Sequence, residues 1–156
     1  MEWFVRAFLK ASLAWLALGV TLGVAMAAHP TWTVYLPAHM HMVLLGFVTM
    51  MIFGVAYHVI PRFAGYPLHN RRAGGVHWWV SNVGLALMVC GFVTRVVRPG
   101  MGTAVLATGG ALSAFGAYIF VYLIWRTVDG PAGLRKAAQR SRQAAAMRPD
   151  RQLPIA

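Results

Sequence analysis

From residue 11 to residue 61 the chain carries no charged side chain. A helix needs roughly 20 apolar residues to cross a bilayer, so this run has room for two crossings. His29, Pro30 and Pro37 mark the break between them. The pattern predicts spans over 8–28 and 36–60. The uncharged intervals Arg72 to Arg95 and Arg98 to Arg126 predict two more, over 76–96 and 101–125. Only 11% of the residues are charged, against about a quarter in soluble domains, which argues against a water-soluble monomer. The first run is too long for a signal-peptide core and lacks a convincing cleavage site, so it is expected to be a retained helix. The expected fold class is all-α, an integral membrane four-helix protein. Residues 1–128 form the membrane domain, and 129–156 a basic tail, either an amphipathic surface helix or disordered.

The charges that remain are strongly unbalanced, with 14 Lys and Arg against 3 acids and a net charge of +11. They fall in short clusters between apolar runs, an arrangement for membrane surfaces and anionic lipid and not for nucleic acid. Arg6 and Lys10, then Arg62, Arg71 and Arg72, then Arg126 and the basic tail all fall on one side of the predicted topology. The positive-inside rule makes that side, with both termini, cytoplasmic. Arg95 and Arg98 are the exceptions on the outer side. Trp3, Trp32, Tyr35, Trp78, Trp79, Tyr122 and Trp125 fall near the predicted interfaces, as an aromatic belt would. Gly19 and Gly23, and Gly102, Gly109, Gly110 and Gly116, mark expected close helix contacts and hence assembly. The single Cys90 excludes an internal disulfide, multi-cysteine zinc or iron–sulfur sites, and heme attachment through C-x-x-C-H. The predicted spans contain no Asp or Glu, unlike those of many proton pumps and transporters.

Chemistry therefore rests on six histidines. His29, His69 and His77 each fall near a predicted helix end, where a hydrogen-bonded or interfacial side chain is the simpler reading. His39 and His41 differ. They lie two residues apart near the start of the second span, so their side chains point about 200° apart on a helix. They cannot readily chelate one metal together. They can ligate two metals on opposite faces, and apolar walls with neutral imidazoles suit heme iron.

The stretch Ala38-His39-Met40-His41-Met42-Val43-Leu44, running on to Tyr57-His58-Val59-Ile60-Pro61-Arg62-Phe63-Ala64-Gly65-Tyr66-Pro67-Leu68, resembles the tenth transmembrane helix of heme–copper oxidase subunit I. That helix carries A-H-x-H-x-V-L and, at the same distance, H-x-x-P-x-F-x-G-Y-x-L. Pro37-Ala38-His39 also resembles the second helix of oxidases and nitric oxide reductases in that superfamily. The resemblance implies that His39 ligates a high-spin heme and His41 a low-spin heme, near the outer surface. It implies that Arg95 and Arg98 contact heme propionates, which would account for their position, since guanidinium suits carboxylate binding. His29 is a weaker ligand candidate. Heme b is the simplest cofactor, and a bacterial plasma (inner) membrane the expected location.

The departures from the family matter as much. Its subunit I has about twelve helices, resembling three arcs of four, and this chain has room for one arc. The copper-site histidines, the linked tyrosine and the acidic proton channels have no counterpart here. The expectation is therefore electron transfer or binding of NO, CO or O2, with the status as an enzyme left open but leaning against. A single arc could imitate the whole by forming a homo-oligomer, trimer first and dimer second, with heme at or near subunit interfaces. A quinol or a cytochrome is the expected redox partner. The competing readings are a copper-binding protein using His39-Met40-His41-Met42, a small oxidoreductase with a second metal at His58 and His77, and a structural or assembly subunit without heme.

Overall fold

The computed structural model describes residues 1–130 and 139–144. Four long helices account for nearly all of the first segment: α1 (Trp3–Ala28), α2 (Pro30–Ala64), α3 (Arg71–Val97) and α4 (Pro99–Asp129), each long and apolar enough to cross a membrane. The all-α, four-helix expectation holds. Each helix runs past its predicted span into charged residues, because a helix continues into the headgroup region, where Lys and Arg reach water. Most of the basic tail expected over 129–156 lies outside the described residues.

Local chemistry sets the boundaries. Pro30 and Pro99 open α2 and α4 at positions where a missing N–H costs no helical bond. The Asn70 side chain caps α3, accepting from the Ala73 N–H at 3.1 Å. Gly65 ends α2 in a left-handed conformation, φ 71°, and the next N–H, of Tyr66, closes back onto the Pro61 carbonyl at 3.2 Å.

The second helix is not uniform. It starts as a 3-10 turn (Pro30–Tyr35), is α-helical over Leu36–His41, widens into a π-helix over Met42–Thr49 and returns to α over Met50–Ala64. The Thr49 hydroxyl donates to the Leu44 carbonyl five residues back, at 2.9 Å. The wide segment therefore begins immediately after the H-x-H, and π segments occur frequently at functional sites.

The helices pack as two hairpins, α1 with α2 and α3 with α4, the second being the tighter. Its contact is backbone against backbone. A Cβ on Gly91 would come 2.6 Å from the Leu106 nitrogen, and one on Gly109 would come 2.6 Å from the Met88 nitrogen. In the first hairpin a Cβ on Gly19 would meet Val43, and one on Gly23 would meet the His39 ring. The glycines expected to mark close contacts thus mostly make them within one chain, whereas Gly110 faces open space.

Phe4, Phe8, Phe53, Tyr57, Leu85 and Leu123 form the buried core that joins the hairpins, and Trp15 Nε1–H donates to Asn82 Oδ1 at 3.2 Å across α1 and α3. An Arg71–Glu2 ion pair at 3.2 Å and a His69 N–H to Thr127 Oγ1 bond at 3.2 Å gather the start of α1, the α2–α3 turn and the end of α4 at one end of the bundle. Arg95 and Arg98 lie at the other, with His39 and His41. The outer faces stay apolar: Leu18, Val24, Val55, Phe115 and Trp125 are all exposed, as helices facing lipid require.

Candidate functional site

His39 and His41 sit in the α-helical stretch that precedes the π segment, so the angular argument from the sequence applies to them directly. They do not converge. His39 turns toward α1, where its Nδ1 lies 2.8 Å from the Gly19 carbonyl oxygen, and its Cε1 would be 3.0 Å from a Cβ on Gly23. The absence of side chains at Gly19 and Gly23 is what lets the ring enter the α1–α2 contact. His41 turns the other way. Its Nδ1 lies 2.7 Å from the Pro37 carbonyl one turn back, and its ring packs on Phe92 of α3 with centroids 4.9 Å apart.

Both histidines share one feature that decides their chemistry. A carbonyl oxygen only accepts a hydrogen bond, so each neutral imidazole must carry its proton on Nδ1. The lone pair is then on Nε2 in both rings. A backbone carbonyl on Nδ1–H is a common second partner of a metal-ligating histidine, fixing its tautomer and orientation. His41 also borders a groove of about 320 Å³ between α2, α3 and α4, lined by Met40, Leu44, Leu45, Met88 and Gly110 among others. The walls are chiefly apolar, and Gly110 adds no bulk to them.

Arg95 and Arg98 lie at the α3–α4 turn, both exposed, and among the described residues neither forms an ion pair. The Arg98 N–H bonds the Thr94 carbonyl at 2.7 Å, and the Arg98 carbonyl accepts from the Gly102 N–H at 2.9 Å, so the turn is tightly held while both side chains stay free. His29 is exposed and pairs with Trp32, ring centroids 5.3 Å apart. Among the described residues no group of three or more His, Cys, Asp or Glu is placed to hold a metal ion.

His58 and His77 take different partners. His58 Nε2 accepts from Arg62 at the end of α2. His77 is fully buried, bonded through Nδ1 to the Tyr57 hydroxyl at 2.8 Å and enclosed by Phe8, Phe53 and Phe120. The sequence reading missed this pair, along with the roles of Gly23, Phe92 and Gly110. Spacing marked Gly23 and Gly110 only as expected helix contacts and gave no sign of what each would face, since their surroundings belong to other helices.

No family model matches the chain. Individual proteins do. The chain is 27% identical to the cbb3-type cytochrome c oxidase subunit CcoN1 of Stutzerimonas stutzeri, over 85% of this chain and 35% of that protein. It is 30% identical to the protein provisionally named cytochrome c oxidase subunit 1-beta in Streptomyces coelicolor, over 70% of this chain and 22% of that protein. The counterpart in Streptomyces avermitilis is 29% identical over 71% of this chain and 23% of its own length. The chain is related to heme–copper oxidase subunit I. It spans about a third or less of the length of these subunit I relatives. The matches cover 70% to 85% of this chain, far more than the length of the Ala38–Leu68 stretch alone.

Proposed function

We propose that the chain is a heme-carrying membrane protein, a single four-helix counterpart of oxidase subunit I that serves electron transfer or binding of a small gas. One observation carries this reading above the others: both H-x-H imidazoles set Nδ1 at hydrogen-bond distance from a backbone carbonyl, which leaves Nε2 of the neutral ring as the lone pair. His41 would bind iron from the groove beside Phe92, and His39 from the α1 side. Bound there, heme b would supply a one-electron couple and, where an axial position is open, a site for NO, CO or O2. The chain's own part is to fix two tautomers, to offer apolar walls, and to place Arg95 and Arg98 at the same end for carboxylates. Those two guanidiniums support propionates lying toward that end of the bundle.

The purified protein should show a b-type pyridine hemochrome spectrum. Alanine at His39 or His41 should sharply lower heme retention, and His69→Ala should leave the spectrum as it is. Wild-type spectra from both the His39 and His41 variants would overturn the assignment. Carbon monoxide added to the reduced protein separates the two roles: a shifted Soret band marks a gas-binding site, and an unchanged one a closed bis-histidine electron carrier.

The charge pattern supports a plasma-membrane orientation with the Arg62–Arg72 end cytoplasmic. In a Cys90→Ala background, a cysteine at Thr31 should then react with an impermeant thiol reagent from outside, and one at His69 only after permeabilisation.

A further inference from the structure

At the end of the bundle away from His39 and His41, a pocket of about 200 Å³ opens between the start of α1, the last turns of α2 and the start of α3. Arg62 and Arg71 stand on its polar side, each steadied by a neighbour. Arg62 donates to His58 Nε2, and Arg71 donates through Nε to Glu2 at 3.2 Å. A guanidinium has five N–H donors, so each retains free donors after these bonds. The facing wall is apolar and includes Val5, Pro67 and Leu68.

The electrostatics of this end are unfavourable for the chain alone. Arg71 and Arg72 begin α3, and no acidic residue lies in its first turn. The positive end of the helix dipole therefore meets positive side chains, which costs free energy. Glu2 brings one negative charge against Arg62, Arg71 and Arg72. An anion seated here would offset both the dipole and the guanidiniums.

We propose that this pocket is a binding site for the phosphate of an anionic phospholipid. The phosphodiester would take the free donors of Arg62 and Arg71, a pairing for which guanidinium geometry is well suited. The glycerol end would lie along Val5, Pro67 and Leu68. A lipid is favoured over a free anion because one wall is apolar and the pocket sits where apolar helices give way to charged residues. The site shares no residue with the proposed heme ligands, so the two readings stand or fall separately.

Native mass spectrometry of the full chain, released from nanodiscs of phosphatidylglycerol and phosphatidylcholine, tests the proposal. The wild-type protein should retain phosphatidylglycerol selectively. Arg62→Gln with Arg71→Gln should weaken that retention by about fivefold per guanidinium lost. The double lysine variant, which keeps the charge but not the fork, should fall between. Lys10→Gln, a loss of one charge on α1 outside the pocket, should retain the lipid as the wild type does, and circular dichroism should show equal helix content in all variants. Equal retention of the two lipids, undiminished retention by the double glutamine variant, or an equal fall with Lys10→Gln would overturn the site. Displacement of phosphatidylglycerol by millimolar inorganic phosphate would overturn the lipid as its occupant.

Discussion

Two backbone carbonyls, those of Gly19 and Pro37, do at the residue scale what the H-x-H pattern alone cannot: they choose the tautomer of His39 and His41. The two histidines and their divergence were legible in the sequence, because a two-residue spacing on a helix fixes the angle between side chains. Their partners were not, since Gly19, Gly23 and Phe92 belong to other helices. Gly23 gives the most direct test of the His39 setting. A Cβ there would lie 3.0 Å from the ring, tight enough that a branched side chain must push the imidazole aside. Gly23→Val should therefore lower heme retention while leaving the His41 environment intact, which heme titration and absorbance of the folded fraction will report. His77 illustrates the opposite case. Near a helix end it reads as an interfacial histidine, yet it lies at the centre of the core against Tyr57. His77→Ala should leave the heme spectrum unchanged but lower stability by about 2–5 kcal/mol, as a buried cavity and a stranded Tyr57 hydroxyl add together. Mild-denaturant unfolding in detergent would measure it, and a variant as stable as the wild type would contradict the role assigned to this pair.

Among the elements, the number and order of the helices were legible because charge-free runs and the length of a crossing leave few alternatives. The π segment of α2 was not. Met42–Thr49 is uniformly apolar apart from Gly46 and Thr49, and nothing in its hydropathy separates a π turn from an α turn. Its signature is tertiary: a Cβ on Gly46 would come 2.6 Å from the Trp15 Cβ, so α1 lies directly against the widened turn. The glycines carry a similar lesson. Their spacing announced close contacts but not whether those contacts lay within or between chains, and the α3–α4 hairpin takes most of them. Gly91 and Gly110 should consequently behave in opposite ways. Gly91→Val puts carbon into the Leu106 backbone and should lower the yield of folded protein and its melting temperature. Gly110→Ala enters open space and should melt close to the wild type, with a gain or loss within about 1 kcal/mol. Thermal unfolding in one detergent compares the pair, and equal damage at both positions would show that the hairpin contact is not the one described.

At the scale of the whole molecule, a low-spin heme would need two axial groups. One chain offers His39 on its α1 side and His41 on its α2–α3–α4 side, and these do not meet. The groove beside His41 is bordered by exposed Met40 and Leu44 and by the unfilled space at Gly110. A second copy could cover that groove, presenting its His39 side to the first copy's His41. Ligands on opposite faces suit a heterologous interface that closes into a ring. The glycine pairs lend this little help, since α1 and α4 use theirs inside the chain. The support comes from ligand direction and from the apolar outer faces. Native mass spectrometry in mild detergent should find a heme-loaded homo-oligomer, a trimer before a dimer, that loses heme as it dissociates. Mixing His39→Ala and His41→Ala protomers should restore part of the bis-histidine spectrum, because some interfaces then hold one intact His39 and one intact His41. A monomer that keeps a bis-histidine heme would defeat the interface and direct attention to His29 as the second ligand.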